Sequence, residues 1–201
     1  AYQEWGSTNN TYDTMDVTHA PCHEPSLWIS ILISSYNTSA RHIRDCLDSI
    51  REQVGRHIGF EVVWVNDGSE PSYTELLEKE LRRFLRLSRF CKVAYYKMNE
   101  NMGLAECLRR GVEWCSHEII ARMDSDDVMV AHRIISQYDF MMLNPTTPIC
   151  GAGIRLFEEG NNGERIWGRA VFHPTITLEE FKKSPKTWIM NHPTFMMRKS
   201  A

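Results

Sequence analysis

Short apolar runs alternate along this chain with segments of helical spacing, and that alternation constrains its fold more than any other feature. The runs are Trp28–Ser34, Glu61–Val65, Val93–Tyr96 and Glu118–Met123. Between and after them, apolar residues recur at helical intervals: Ile43, Leu47, Ile50 and Val54; then Leu76, Leu77, Leu81, Phe84 and Leu85; then Leu104, Cys107, Leu108 and Val112; then Ile134, Tyr138 and Met141. A strand that leads through a helix to the next strand makes a crossover, and crossovers join parallel strands. The pattern therefore predicts an α/β domain, a mostly parallel central sheet with helices on both faces. Beyond it, Ile149–Phe157 reads as a further strand, Glu158–Glu164 as an exposed loop, Leu178–Lys183 as a short helix and Pro193–Met197 as a strand at the sheet edge. Residues 1–25 are polar and aperiodic and read as a tail.

At 201 residues the chain fits one domain with a sizeable core. Its net charge of −3, with no Lys/Arg stripe, argues against a nucleic-acid partner. The densest basic stretch, Arg82 to Arg89, is interleaved with Leu and Phe at helical spacing. No run approaches the ~20 apolar residues of a membrane span, so no transmembrane segment is expected. The six cysteines are scattered without a C-x-x-C pair, which excludes a zinc ribbon and suits reduced thiols in a cytoplasmic core.

Polar clusters fall at the carboxyl ends of the predicted strands: Ser35-Tyr36-Asn37, Asn66-Asp67-Gly68-Ser69 and Asp124-Ser125-Asp126-Asp127. Open parallel sheets bind ligands there, where the strand order reverses. Close-set carboxylates after a strand repel one another unless a cation joins them, and a hard divalent ion uses one or two of them plus substrate phosphates. In an extended segment Asp124 and Asp126 face one side and Asp127 the other. The competing reading makes Asp127 a helix cap and its neighbours solvated turn residues. A calcium loop of EF-hand type lacks its Gly and its distant Glu. Tyr36 offers a face for stacking on a base and Asp67 an acceptor for a base N–H, although either could be an ordinary partly buried or turn residue.

Ile31 to Asn37, Val65 to Ser69, Asn101 to Ala105 and Ile120 to Asp127 resemble, in order and spacing, the inverting GT-A glycosyltransferases. That family includes many transferases of polysaccharide and capsule synthesis. Arg133, Gln137 and the segment Asn191 to Ser200 resemble it too, so the likeness covers about residues 28 to 200. The resemblance implies a GT-A fold with Rossmann-like topology. Residues 26–157 would bind the nucleotide-sugar, and 158–201 would begin an acceptor-side region of the same domain, cut short at its end. Ser34, Tyr36 and Asp67 would hold the base, most often uracil, and Gly103 would open the third helix beside the nucleotide. Asp124 would touch the ribose or the surroundings of the metal, and Asp126 would bind Mn²⁺ or Mg²⁺ between the phosphates. His192 is either a further metal or phosphate ligand or a satisfied structural histidine, and its position before Pro193 favours extended backbone. Arg122 is either a structural ion pair or a diphosphate contact. Trp167, Trp188 and His173 either line an acceptor groove or simply pack.

Two departures from the family pattern stand out. Cys107 to Gly111 replaces the small, Asn-containing segment common in the third helix. The general base that deprotonates the acceptor, an Asp or Glu beyond the His-Pro-Thr segment in the family, is expected past Ala201, and no residue is assigned to it. Asp139, Glu158, Glu159 and Glu164 are available but sit in no recognisable position. The sequence thus points to a metal-dependent glycosyltransferase moving a sugar from a nucleoside diphosphate, with UDP favoured, to a glycan or other hydroxyl acceptor. The alternative is a nucleotide-sugar-binding domain of a larger protein without its own base. A nucleotidyltransferase would need a Gly-rich basic loop that Ser34 to Arg44 does not offer. The expected location is the cytoplasm, including the cytosolic face of a membrane.

Overall fold

The computed structural model describes residues 25–53, 58–174, 178–183 and 190–200. The expected tail at 1–25, apart from Pro25, lies outside the described residues, as do Val54 and Trp188.

β1 (Leu27–Ser35), β2 (Ile58–Asn66) and β3 (Cys91–Lys97) are the predicted apolar runs extended by one to three residues at each end, and β4 (Ile119–Asp124) is the predicted run shifted by one residue. α1 (Ala40–Arg51), α2 (Pro71–Leu87), α3 (Leu104–Trp114) and α4 (Arg133–Leu143) follow them. α1 starts cleanly because Ser39 is extended and its hydroxyl accepts from the His42 N–H, as an N-cap does. α2 starts with Pro71, whose missing N–H costs nothing in a first turn.

The strands pair in the order β3-β2-β1-β4, all parallel. Because β1 has β2 on one side and β4 on the other, the chain order reverses across the β1–β4 pair. Alternate residues of the strands feed different faces. Ile29, Ile31, Ile33, Val62 and Trp64 pack with Ile43, Leu47, Leu77, Phe84 and Ile134 from α1, α2 and α4. Leu32, Val63, Val65 and Ile120 pack with Cys107 from α3 on the other face. Trp64 is fully buried, and burying such a ring stabilises the fold by about 3 kcal/mol. The departure at Cys107 to Gly111 has a packing reason. A Cβ at Gly111 would lie 2.3 Å from Leu32 Cδ1, so any other residue there would have to push the buried Leu32 side chain aside. The cysteines of the core are free thiols, buried at positions 46, 107, 115 and 150 and half-buried at 91.

The second half departs from the sequence reading in three places. The expected strand at Ile149–Phe157 is two strands: β5 (Ile149–Cys150) belongs to the central sheet, and β6 (Ile154–Glu159) pairs with β7 (Arg165–Val171) in a separate two-stranded sheet. The expected loop therefore shrinks to a turn, and the boundary drawn after residue 157 falls inside β6. A helix, α5 (Leu178–Lys183), lies where it was expected. The last strand, β8 (Met196–Arg198), is not at the edge but between β4 and β5, antiparallel to both. A late segment can take an interior place because antiparallel pairing needs no crossover. Among the described residues no helix is long and apolar enough to cross a membrane.

Candidate active site

At the reversal point Ser34 of β1 pairs in register with Asp124 of β4, so the first polar cluster and the acidic one meet side by side. On the other flank Ser35 pairs with Asn66, and the Asp67 N–H donates to the Ser35 carbonyl at 2.9 Å. Ser35 Oγ accepts from Trp64 Nε1 at 2.8 Å, tying the strand end to the core. Ser34 is almost fully buried, whereas Tyr36 is 52% exposed and free to offer a ring face.

Asp67 is buried, and its carboxylate is already engaged. Oδ1 accepts from the Met102 N–H at 2.7 Å and Oδ2 from the Gly103 N–H at 3.0 Å. Each oxygen keeps a further lone pair, so the group anchors the third helix and can still accept from a ligand. Gly103 caps α3 at φ +86°, and nothing lies within 4 Å of where a Cβ would be. The backbone angle, not crowding, calls for glycine there. Gly68 is tighter: φ is +68° and a Cβ would come within 2.4 Å of the Glu100 carbonyl carbon.

The acidic segment is not extended beyond Asp124. The Asp127 N–H donates to the Asp124 carbonyl at 3.3 Å and closes a turn, so the expected two-sided alternation does not apply. Nor does Asp127 cap α4, which starts at Arg133 after His132. Asp126 is exposed and Asp127 partly buried. Burial, with Asp124 and then Asp126 close by, pushes the Asp127 carboxyl up to about 6. Asp124 is paired with Arg122, whose side chain is 2% exposed. Arg122 Nε and Nη1 have no acceptor among the described residues. Arg133, buried between Arg122 and Gln137, donates to the Arg122 carbonyl at 2.7 Å and to Gln137 Oε1 at 3.0 Å. Burial lowers its guanidinium to about 10. Gln137 Nε2 in turn donates to the Thr194 carbonyl at 2.8 Å, so these family-like positions knit β4 to the late segment.

The three carboxylates of the acidic cluster, Asp124, Asp126 and Asp127, outnumber the cations of Arg122 and Arg133 beside them. Among the described residues no group of three or more His, Cys, Asp or Glu is placed to hold an ion alone. Open Asp126 beside half-open Asp124 suits instead a cation shared with phosphate oxygens.

His192 does reach this region: burial lowers its pKa, and Arg122 and Asp124 both act on it. It opens a 3-10 turn, His192–Thr194, rather than lying extended, because Thr194 N–H and Oγ1 both bond back to the Asn191 carbonyl. His173 shares a hydrogen bond with Asn191 at 3.1 Å. Trp167 is 50% exposed on β7, edge-on to Phe157 at 5.6 Å. Of the spare carboxylates, Glu159 is taken by His42 at 3.1 Å and Glu164 accepts from the Asn162 N–H.

Several functional contacts were not read from the sequence. Thr38 and Ser125 share a hydroxyl hydrogen bond at 2.8 Å that joins the first loop to the acidic turn. Asn191 donates to the Ala152 and Val171 carbonyls and holds the base of the β6–β7 sheet beside His192. Its one signal was its place directly before His192-Pro193.

Residues 30–201 match Glycosyl transferase family 2. The chain belongs to that family. Curated relatives of this family 2 chain include the amylovoran biosynthesis glycosyltransferase AmsE of Erwinia amylovora, 31% identical over 85% of this chain and 59% of that protein. A UDP-Gal:alpha-D-GlcNAc-diphosphoundecaprenol beta-1,3-galactosyltransferase of Escherichia coli is 27% identical over 69% of this chain and 47% of its own length. The chain thus spans less than two thirds of either relative. Among solved structures, the mannosyltransferase PcManGT from Pyrobaculum calidifontis, in complex with GDP-Man and Mn²⁺, is similar with a TM-score of 0.51. It shares 22% identity over 63% of this chain and 36% of that one. The fold is GT-A.

Proposed function

We propose that this family 2 chain binds a nucleoside diphosphate sugar, with UDP as the nucleotide, and serves its inverting transfer to a hydroxyl acceptor of a growing glycan. The observation that carries the reading is the side-by-side pairing of Ser34 and Asp124 at the reversal of strand order, with exposed Asp126 beyond it. In this reading Tyr36 stacks on the base, Asp67 accepts from a base N–H and Ser34 bonds at the base edge. Gly103 brings the start of α3 close to the nucleotide, and Asp124 meets the ribose. Asp126, with Asp124 beside it and His192 as a further candidate, would hold Mn²⁺ or Mg²⁺. When bound, such an ion neutralises charge growing on the departing diphosphate. Inversion in one displacement needs a carboxylate to take the acceptor proton as the new glycosidic bond forms and the bond to the diphosphate breaks. No described carboxylate is assigned that role. Two comparisons support the details: the E. coli relative is named for a UDP-linked donor, and the structural neighbour was solved with Mn²⁺.

A second reading, a donor-binding domain without its own base, is favoured by the prior engagement of Glu159 and Glu164. Transfer assays on this chain and on a longer one separate the two.

The test is calorimetric titration of UDP and UDP-glucose with Mn²⁺, then with EDTA, repeated on Asp126→Ala. Binding that needs the metal and is lost in the variant supports the donor site. Folded protein that binds neither UDP nor another nucleoside diphosphate overturns it.

A further inference from the structure

Tyr36 is open to solvent, yet the residue that follows it is locked in place. Asn37 has a φ of +51°, the left-handed region that L-residues other than Asn and Asp rarely enter. Its N–H donates to Ser69 Oγ at 3.0 Å, and its Oδ1 accepts from the Glu70 N–H at 3.0 Å. Glu70 is the N-cap of α2 and makes no side-chain cap bond of its own, so the loop after β1 grips the start of that helix. Ser69 is held in turn, its N–H donating to buried Asn66 Oδ1 at 3.0 Å. One residue on, Thr38 bonds Ser125 in the acidic turn. Asn37 therefore stands where the open tyrosine, the second polar cluster and the acidic turn are joined.

We infer that Asn37 is a positioning residue for the donor. Its paired bonds to Ser69 and Glu70 fix the Tyr36 ring at a set distance from Asp124 and Asp126, so that base and diphosphate are engaged together. This rests on the reading of Tyr36 as the base-stacking residue. A loop that must be ordered on binding charges that ordering against affinity, and a loop already ordered does not. Asn suits the place because it tolerates positive φ and supplies the acceptor. Gly would keep only the first property and Ala neither, whereas Asp keeps both.

The experiment is calorimetric titration of UDP with Mn²⁺ into the chain and into Asn37→Ala, Asn37→Gly, Asn37→Asp, Tyr36→Ala and the Tyr36→Ala/Asn37→Ala pair, with circular dichroism to check folding. Asn37→Gly should weaken UDP about fivefold to tenfold, the loss of one hydrogen bond, and Asn37→Ala at least as much. Asn37→Asp should stay within about twofold of the parent, and the pair should be no weaker than Tyr36→Ala alone within about twofold. If Asn37→Ala fails to fold, the Gly and Asp variants carry the same comparison. A role confined to folding would lower the unfolding temperature and leave UDP affinity of the folded variants unchanged, which overturns the inference. So would losses in the pair that simply add. Tyr36→Ala binding UDP like the parent would instead overturn the reading of Tyr36, and the inference with it.

Discussion

Arg122 and Asp124 lie on the same face of β4 and form an ion pair whose arginine is buried and whose carboxylate stays about a third open. Arg122 Nε and Nη1 are sealed from solvent, which favours the structural reading over a direct diphosphate contact. Arg122→Met then removes a buried cation with unmet donors but leaves partly open Asp124 beside Asp126 and Asp127, so stability should fall by about 1–3 kcal/mol, less than stranding a fully buried charge costs. With its cation gone, the cluster should bind Mn²⁺ about threefold to tenfold more tightly at low salt. Titrations of UDP with Mn²⁺ and with EDTA check this. Weaker UDP binding in EDTA would show that the guanidinium touches the diphosphate after all.

Gly68 and Gly103 separate two costs that are usually mixed. Both have positive φ, but a Cβ meets backbone only at Gly68. Gly103→Ala, at a φ of +86° and ψ of 156° that is almost exclusive to glycine, should therefore lose about 1–3 kcal/mol, the conformational part alone. Gly68→Ala should lose about 3 kcal/mol or more, since the Glu100 backbone must also move. Urea unfolding of the two variants gives the comparison.

Asp67→Asn tests the anchor of α3. The amide offers one acceptor where the carboxylate offers two, so either the Met102 or the Gly103 N–H loses its partner. The expected loss is about 1–2 kcal/mol, and faster amide hydrogen exchange should appear at residues 102 and 103.

Glu61 supplies a pH dependence remote from the proposed site. Burial pushes its carboxyl up, but hydrogen bonds from the Ser116 hydroxyl, the Ser30 hydroxyl and the Ser116 N–H outweigh that, and His117 adds to the lowering. A carboxyl held below its unfolded value contributes stability above about pH 4.5, and that contribution is lost as pH falls through the folded value. Glu61→Gln should be about 1–2 kcal/mol less stable at neutral pH. The gap should narrow toward about pH 3, as read from urea unfolding at both pH values.

Much of the first half was legible because its signals are local. The apolar runs at Trp28–Ser34 and Glu61–Val65 became β1 and β2, since strand and helix periods are written in neighbouring residues. The motifs after each strand landed at strand ends for the same reason. The second half was not legible in this way. Ile149–Phe157 reads as one strand, although Gly151 and Gly153 interrupt it, and the different sheet partners of its two parts split it into β5 and β6. The acidic segment was misread locally too, as extended where it turns, because a backbone bond from Asp127 to Asp124 leaves no trace in residue type.

By itself, the sequence determined the α/β alternation, the polar clusters at the strand ends and the family to which they belong. All three depend on residue type and short spacing. Tertiary structure decided which clusters meet. It set Ser34 beside Asp124, gave the Asp67 carboxylate to the start of α3, buried Arg122 against Asp124 and fastened Asn37 to Ser69 and Glu70. Apart from Arg122 and Asp124, neighbours on one strand whose burial the packed sheet decides, these are contacts between residues far apart in the chain. Strand order, register and burial set such distances, and no local pattern encodes them.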